Sequence, residues 1–509
     1  MSDTTLEKPS VLHSTGRGSR RARPQSLGFV ARHAWWLVAF GVVAISLLIV
    51  VTAGARPGYD PYGWLGWGYQ TLHGSLNLGG APSWKPFTYV FTVPYALFGH
   101  YELWLWMVTA VAISLSGGIF GGRIAYRVVA QDGERPWAAW VAAVFAGVSV
   151  LAIQAYFHYL LSDQSDPMLV SVCLAAIDCY LGRRLAWAWW LGVLAGLGRP
   201  EVWPFIVAYG IWLLIKRPNM RWMIVLAALI TLFFWFGVPT ITNGKPDVAG
   251  QLALKSPREL HGNKIAGTID RFTALDYLGI ELAALAAVAL AFLRRNVTVL
   301  ALAGMTVAWV LIEIAFVLHG FPGVPRYLFE PAGLTGVLAG IAVGWLLRDL
   351  SRLHPRIPGW AGIPVAAVLV ALTIGHVVRV ATVEHKDLIS QHARTTEIDK
   401  LAAAIHALGG PKRILACGAP ILNVEYVSIM GWYLHMNTGN IGYRPLVQLL
   451  DPGPMVLFSS FPNGWSITPY HVTSSACAHL QSFFVPTRRH PQGVLVPKFG
   501  TPVPAIPGS

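Results

Sequence analysis

The chain has 509 residues, of which 54% are hydrophobic and only 12% are charged, and its formal net charge is +14. A soluble protein of this length cannot bury so large an apolar fraction, so the composition indicates a chain whose main solvent is lipid. The positive charge is typical of anchoring beside anionic lipids and does not indicate nucleic acid binding.

Apolar segments of near bilayer-crossing length recur along the chain. A transmembrane helix needs about 17 to 25 mainly apolar residues. The candidate segments lie at 35–53, 102–128, 137–157, 166–182, 186–198, 201–216, 222–240, 274–293, 297–317, 327–347 and 360–381. The fifth is short, and the fifth and sixth could form one broken helix. The sequence therefore predicts an all-α polytopic membrane domain over 35–382 with about eleven transmembrane helices.

Basic residues set the predicted orientation, because Lys and Arg accumulate on the cytoplasmic side of membrane proteins. A basic tail, 1–34, precedes the first span, and further basic residues follow at alternate span ends. They include Arg123, Arg127, Arg183, Arg184, Lys216, Arg217, Arg294, Arg295 and Arg348. The pattern predicts a plasma (inner) membrane protein with a cytoplasmic N-terminus and an extracytoplasmic C-terminal region. Ala53-Gly54-Ala55 also resembles a signal-peptidase site, and cleavage there would leave the same loops outside.

The first outside loop, 54–101, carries an acidic residue directly after the first span. Asp60 lies in Tyr59-Asp60-Pro61, and Trp84-Lys85-Pro86 follows later in the loop. An acid just outside the membrane is what an enzyme acting on lipid-linked sugars needs, and ionisable residues at this depth are functional candidates. Asp60 could equally begin a turn before Pro61, and the surrounding aromatics could form an interfacial belt.

Two later outside loops supply more ionisable residues. Asp166 precedes a proline, which suits a helix N-cap, and that role would leave Asp163 free for substrate. Gly198-Arg199-Pro200-Glu201 also begins a helix, with Glu201 near its positive end. The sequence shows no structural role for Arg199, and its planar guanidinium suits a phosphate.

The motif Pro325-Arg326-Tyr327 lies at the start of a later span. Arg326 and Glu330 are four residues apart, so an intrahelical ion pair is the simplest interpretation. That pairing does not prevent Arg326 from also meeting a phosphate.

A later outside loop, 241–273, is net basic and contains His261 among its charged residues. Gly and Pro punctuate it, so no regular element is predicted. The loop is either solvated or a lid, and its charge indicates an anionic partner such as a lipid phosphate.

The region 383–494 is predicted to form a small extracytoplasmic α/β domain. An amphipathic helix is expected at 395–408, and short strands are expected at 413–417 and 455–459. The end of the chain, 495–509, is rich in Pro and Gly and is predicted to be disordered.

The cysteines allow one disulfide. Cys417 and Cys477 both fall in the predicted extracytoplasmic domain, where a disulfide is permissible, and the sequence leaves their pairing open.

Together these motifs resemble a known family. A first span followed by Tyr59-Asp60-Pro61, an aromatic and Gly-rich interfacial segment and Trp84-Lys85-Pro86 resembles the GT-C superfamily of integral-membrane glycosyltransferases. Gly198-Arg199-Pro200-Glu201 and Pro325-Arg326-Tyr327 add to the likeness. The resemblance covers 35–381. The similar branches are the protein O-mannosyltransferases, the aminoarabinose transferases and the actinobacterial polyprenyl-phosphate-sugar-dependent mannosyl- and arabinofuranosyltransferases.

The resemblance implies roles for the residues that match its motifs. It implies a catalytic carboxylate in the first outside loop, which falls on Asp60 as general base. Cations are needed for the donor phosphate, and the candidates are Lys85, Arg199 and Arg326. Asp163 matches the acidic position of the second loop. The other candidate substrate contacts are Tyr59, Trp84, Asp166, Glu201, His261 and Tyr327.

Metal-dependent relatives tend to show paired acids in these loops. Here Asp60 is followed by Pro61 and Tyr62, and Asp163 and Asp166 are three positions apart. The missing Asp-x-Asp motif favours a mechanism without metal or other cofactor, with a divalent metal as the alternative. Several relatives carry two adjacent acids in the first loop, so the identity of the base stays open.

The sequence therefore predicts an inverting hexosyl- or pentosyltransferase that moves a sugar from a polyprenyl-phosphate donor to a cell-envelope glycan or glycolipid. Its predicted partners are that donor, the acceptor and membrane lipids. One alternative is a transporter or flippase of a lipid-linked intermediate, which should carry charges at mid-membrane and paired sequence halves. Another is a non-catalytic envelope-assembly protein.

Overall fold

A computed structural model describes the greater part of the chain. The described residues are 25–80, 84–131, 136–254, 258–348, 358–443, 453–461, 464–478, 480, 482–486 and 497–499, with side chains described between 34 and 480. Most of the predicted tails 1–34 and 495–509 therefore lie outside the described residues.

Helices account for most of the structure before residue 408. They are α1 (Gln25–Ala53), α2 (Tyr59–Leu72), α3 (Pro86–Ala96), α4 (Glu102–Ala130), α5 (Pro136–Leu151), α6 (Tyr156–Leu161), α7 (Ser165–Leu181), α8 (Leu185–Gly196), α9 (Trp203–Lys216), α10 (Arg221–Leu232), α11 (Val238–Asn243), α12 (Val248–Leu254), α13 (Lys264–Thr273), α14 (Leu278–Arg294), α15 (Val297–Leu318), α16 (Phe329–Leu346) and α17 (Gly362–Ala407). Short 3-10 segments at Pro200–Val202 and Pro325–Leu328 lead into α9 and α16, and a π-helical segment, Phe233–Gly237, joins α10 to α11.

Each predicted span overlaps these helices: 137–157 covers α5 and the start of α6, 222–240 covers the run from α10 to α11, and each of the others overlaps one helix. In the described part of the chain, six helices are long and apolar enough to cross a membrane, and α13 with α14, bent by 98°, would make a seventh. Large apolar side chains of α1 such as Trp36 and Phe40 are 76% and 75% exposed, as expected where lipid supplies the contacts. The chain is thus a multi-pass membrane protein, and the number of eleven crossings stays a prediction.

Helix α16 forms the centre of the helical bundle, since every one of its residues is buried. It packs against α5, α14 and α15. A Cβ atom at Gly340 would lie only 2.6 Å from the carbonyl oxygen of Ala142, so glycine lets α16 and α5 approach closely. The first turn of this rigid central helix carries Glu330.

The C-terminal region contains a small domain of helices and one sheet. Its elements are α18 (Pro411–Ala416), β1 (Ala419–Ile421), α19 (Val427–Leu434), β2 (Met455–Phe461), β3 (Gly464–Tyr470), α20 (Ser475–Ala478), β4 (Ser482–Pro486) and β5 (Pro497–Phe499). The strand order is β1-β2-β3-β4-β5, with β1 parallel to β2 and the other pairs antiparallel. The predicted α/β character of this region is confirmed.

The strand predicted at 455–459 is confirmed as part of β2. Two other local predictions in this domain differ from the structure. The strand predicted at 413–417 is wrong, because Pro411 stands at the first helical positions after Gly410 and starts α18. Strand β5 lies inside the segment predicted to be disordered, and pairing of Phe499 with Phe484 of β4 gives its backbone hydrogen-bond partners.

Helix α17 runs without a break from the membrane domain into the C-terminal domain over 46 residues. The boundary predicted at 382–383 therefore falls inside a helix. Its part at 392–399 contacts the segment 53–57 that follows α1; for example, Arg56 and Asp399 form an ion pair at 3.1 Å. We call this end of the bundle, where the C-terminal domain sits, the domain-facing end.

Cys417 and Cys477 form a disulfide across a sequence separation of 60 residues. It ties the end of α18 to α20, and so it resolves the pairing that the sequence leaves open.

We expect the Cys417→Ser/Cys477→Ser double variant to lower the free energy of unfolding of the C-terminal domain by about 2–4 kcal/mol, because the opened loop gains freedom in the unfolded state. Pulse proteolysis of the whole protein in denaturant would measure the loss. Replacing the free cysteines of α7, Cys173 and Cys179, by alanine is the matched control. Equal stabilities for the two double variants would contradict a stabilising role of the disulfide.

Candidate active site

The candidate residues come together at the domain-facing end, where several helices begin. Asp60 and Asp166 lie in the first turns of α2 and α7. Lys85 immediately precedes α3, Arg199 immediately precedes the short segment that leads into α9, and Arg326 belongs to the segment that leads into α16. Helix N-termini present unsatisfied N–H groups and a positive potential, so this end of the bundle favours anionic groups.

The Asp166 carboxylate lies at the centre of three cations, which we call the cationic cluster: Lys85, Arg199 and Arg326. Its Oδ1 accepts a hydrogen bond from Arg199 Nη2 and lies 3.9 Å from Lys85 Nζ. Its Oδ2 lies 3.8 Å from Arg326 Nε. One carboxylate therefore joins all the cations that the sequence assigns to a phosphate, and their action on a phosphate stays a prediction.

Asp60 borders the cationic cluster and remains open to solvent. Its Oδ2 lies 3.5 Å from Arg326 Nη2, and its side chain is 22% exposed, whereas that of Asp166 is 0% exposed. A group must be reachable to act on a substrate. Of these two carboxylates, Asp60 is the one that a substrate can meet.

Lys85 depends on its neighbours for its charge. Its Nζ donates a hydrogen bond to Ser165 Oγ at 3.0 Å and lies 5.5 Å from the ring centroid of Trp64. Burial lowers the pKa of Lys85, and the Asp166 carboxylate opposes this shift. A further anion beside Lys85 would stabilise its charged form in the same way.

Arg199 is enclosed by carboxylates. Its Nε lies 3.3 Å from Glu330 Oε1, its Nη1 lies 3.8 Å from Glu201 Oε1, and its side chain is 4% exposed. The structure thus explains the arginine for which the sequence shows no structural role. Its guanidinium is committed to protein carboxylates, and a direct contact with phosphate stays a prediction.

The ion pair expected between Arg326 and Glu330 is replaced by other pairs. Glu330 pairs with Arg199, while Arg326 pairs with Asp60 and Asp166. The reason is local geometry: Arg326 lies in a 3-10 segment before α16, so its spacing from Glu330 does not place both on one α-helical face.

The sequence predicts a structural role for Asp166 and a substrate contact for Asp163. In the structure, Asp166 lies in the cationic cluster and Asp163 is buried. Helix α7 begins at Ser165 after the N-cap residue Gln164, so the N-cap role predicted for Asp166 is wrong. Asp163 is 1% exposed and has a left-handed backbone with φ of 56°. Burial raises the pKa of Asp163 well above its usual range, and Arg394 opposes the shift. No ion pair among the described residues joins Asp163 to the cationic cluster.

Two tyrosines line the cationic cluster. The guanidinium carbon of Arg199 lies 4.4 Å from the ring centroid of Tyr327, and that of Arg326 lies 5.6 Å from the ring centroid of Tyr159. Such contacts favour a cation over an aromatic face. Tyr327 is a predicted site residue, whereas Tyr159 is not; in the sequence, only its position in the loop that carries Asp163 indicates a place in the site.

Tyr59 and Trp84 lie in different surroundings. Tyr59 is half-buried beside Ser428 of α19, and burial raises its pKa to about 12. Trp84 is buried, and its indole N–H donates to the carbonyl oxygen of Phe234 at 2.9 Å. Tyr59 therefore faces the C-terminal domain, while Trp84 belongs to the packing beneath the site. Their contacts with substrate stay predictions.

The outside loop 241–273 is more regular than its glycines and prolines predict. It contains α12 and α13, and α13 begins where Asn263 Oδ1 accepts hydrogen bonds from the N–H groups of Ile265 and Ala266. His261 is exposed in the turn before α13. No hydrogen bond or ion pair within the described ranges joins it to the cationic cluster.

Arg394 supports the segment that leads to Asp60, a role that the sequence does not indicate. Its Nη2 donates to the carbonyl oxygens of Arg56 at 2.6 Å and Pro57 at 3.1 Å. Nothing in the local pattern around Arg394 points to this contact, because its partners lie more than 300 positions earlier in the chain.

The acids of the site form ion pairs with cationic side chains of the protein itself. Within the part of the chain that the structure describes, no group of three or more His, Cys, Asp or Glu residues is placed to hold a metal ion. The metal-independent mechanism stays a prediction.

The fold and the site define a class: a polytopic helical membrane protein whose charged cluster lies at helix N-termini beside a small α/β domain. This chain is similar to ArnT from Cupriavidus metallidurans in the apo state, with a TM-score of 0.50 and 16% sequence identity. The match covers 84% of this chain and 93% of the ArnT chain. The same protein bound to undecaprenyl phosphate gives a TM-score of 0.47 at the same identity and coverage. No protein-family model and no curated protein sequence matches the chain. The likeness to apo ArnT is one of fold alone, and it confirms the predicted architecture, a GT-C-like helical membrane domain followed by a small C-terminal domain with a few strands.

Proposed function

We propose that this protein is an inverting glycosyltransferase that uses a polyprenyl-phosphate-linked sugar as donor. The observation that carries the proposal is a partly exposed carboxylate, Asp60, in contact with Arg326 of the cationic cluster. A glycosyl phosphate brings its own leaving group, so the protein must supply a base, cations for the phosphate and correct positioning. The fold supports the proposal at the level of architecture alone.

In the proposed reaction, an acceptor hydroxyl attacks the anomeric carbon on the face opposite the phosphate. The new carbon–oxygen bond forms while the bond from the anomeric carbon to the phosphate oxygen breaks. The leaving oxygen keeps the electron pair and departs as polyprenyl phosphate, and Asp60 takes the proton of the acceptor hydroxyl. The configuration inverts because attack and departure occur on opposite faces.

The contact between Arg326 and Asp60 gives the reaction an order. A donor phosphate beside Lys85 and Arg326 would compete with Asp60 for the Arg326 guanidinium, because phosphate oxygens are strong acceptors for arginine. When Arg326 turns to the phosphate, the Asp60 carboxylate becomes available for the proton. Donor binding thereby prepares the base.

The placement of the site in the cell is part of the proposal. Basic span ends support a cytoplasmic N-terminus, so the domain-facing end would lie at the outer face of the plasma membrane. An acceptor available there is a cell-envelope glycan or glycolipid. We propose no metal or other cofactor.

A transfer assay tests the function. The purified protein in lipid nanodiscs is given radiolabelled undecaprenyl-phosphate-linked hexose and pentose donors, with an envelope glycan and glycolipid extract as acceptor. We expect label in the acceptor together with released polyprenyl phosphate. Transbilayer movement of intact donors in proteoliposomes, without any loss of the sugar, would overturn the proposal and favour a flippase.

Arg326→Gln should lower kcat/KM for the donor by about 100-fold, since one charged donor to the departing phosphate is lost. Much of the effect should appear as a higher donor KM, because Arg326 also contacts the phosphate in the ground state. Steady-state kinetics over a range of donor concentrations measure both constants. Arg413→Gln, an exposed arginine of α18, is the control, and an equal effect of the two changes would count against the assignment.

A further inference from the structure

Helix α13 has two unlike faces. Thr268 is 2% exposed and faces the protein, whereas Ile265 and Ile269 are 48% and 44% exposed. The helix packs against α15 and the segment Pro325–Leu328. Its inner face is therefore already occupied by protein, and its isoleucines point away from it.

The next helix also exposes large apolar side chains. After a bend of 98°, α13 is followed by α14, the helix of the predicted span 274–293. Leu278 and Leu285 of α14 are 56% and 65% exposed. If α14 crosses the bilayer, the bend lays α13 close to the membrane plane, with its exposed isoleucines on the lipid side.

The inner face of α13 holds the backbone that carries Arg326. Arg271 of α13 donates a hydrogen bond to the carbonyl oxygen of Gly323. Gly323 precedes by two positions the Pro325–Leu328 segment, against which α13 packs. The position of α13 and the position of Arg326 are thus mechanically linked.

We propose that α13 is an in-plane interfacial helix whose Ile265 and Ile269 insert into the outer boundary between lipid headgroups and acyl chains. Amphipathic helices of this kind bury their apolar face about 5–10 Å into that boundary. The bilayer then sets the height of α13 and, through Arg271, the height of the segment with Arg326. The occupant of the isoleucine face is the lipid surface, and the helix is an anchor rather than a free lid.

Depth-dependent quenching tests the proposal without any use of glycosyl transfer. Ile269→Cys and Asp270→Cys, both in a Cys173→Ala/Cys179→Ala background, are labelled with the NBD fluorophore; both native side chains are exposed, so the fold is little disturbed. The protein is placed in vesicles of phosphatidylethanolamine and phosphatidylglycerol that carry shallow doxyl-labelled phosphatidylcholine. We expect a blue-shifted emission and the larger lipid quenching at 269, and the larger iodide quenching at 270.

Two outcomes would overturn the proposal. Strong iodide quenching at both positions, without lipid quenching, would place the isoleucine face in water. Protection of position 269 from both quenchers would place a protein, such as a second copy of the chain, on that face. Neither outcome depends on whether the protein transfers sugars, so this test and the transfer assay can fail separately.

Discussion

Asp60→Asn should lower kcat by about 1,000-fold while donor binding is retained, because general-base catalysis is worth about 100- to 10,000-fold. Asparagine keeps the shape of the side chain and removes its ability to take a proton. The variant also loses the carboxylate that pairs with Arg326. We therefore expect the donor KM to stay equal or to fall, since Arg326 becomes free for the phosphate.

Single-turnover transfer in nanodiscs separates the two effects. The chemical step is followed at saturating donor, and donor affinity is measured independently by binding of radiolabelled lipid. Glu425→Gln, an exposed acid of the C-terminal domain, is the control and should leave both quantities unchanged. Undiminished transfer by Asp60→Asn would exclude Asp60 as the base, and a parallel loss of donor affinity would point to a binding role instead.

The helical framework could be predicted because it depends on local composition. Runs of apolar residues place α4, α15 and α16 almost at their observed bounds. Apolar composition shows where a membrane span ends, but it does not show whether the helix itself continues beyond that point. The unbroken continuation of α17 into the C-terminal domain could therefore not be predicted. Composition also fails in the loop 241–273, where glycines and prolines predict no regular element. There the side chain of Asn263 caps the first turn of α13 and so starts a helix.

The residues of the site could be predicted as a set, but their pairings could not. The predicted orientation of the spans places Asp60, Lys85, Arg199 and Arg326 at one end of the bundle. Each of them lies in a predicted outside loop or at the outer end of a predicted span. Which carboxylate meets which cation depends on side-chain directions over long sequence separations; the Arg199–Asp166 contact joins positions 33 apart, and the Arg326–Asp60 contact joins positions 266 apart. Local rules such as the pair four residues apart therefore fail here.

Asp166→Asn should destabilise the protein by about 3 kcal/mol, because removal of one partner from a buried ion pair leaves uncompensated charge. The carboxylate is 0% exposed and is shared by Lys85, Arg199 and Arg326. Asn cannot neutralise any of the three. Lys85 loses the most stabilisation, since its other described contacts, the hydroxyl of Ser165 and the ring of Trp64, carry no charge.

Asp163→Asn is the matched control for this prediction, three positions earlier in the same segment. Burial already favours the neutral form of Asp163, so an amide of the same shape should cost less than about 1 kcal/mol. Thermal unfolding in nanodiscs ranks the two variants, and donor titration shows what happens to the site. If Asp166 holds the cationic cluster together, its variant unfolds at a clearly lower temperature, and saturating donor recovers part of the loss because the phosphate replaces the missing anion. If Asp166 instead contacts the substrate, a role for which the sequence also makes it a candidate, its variant shows the stability of Asp163→Asn and a raised donor KM.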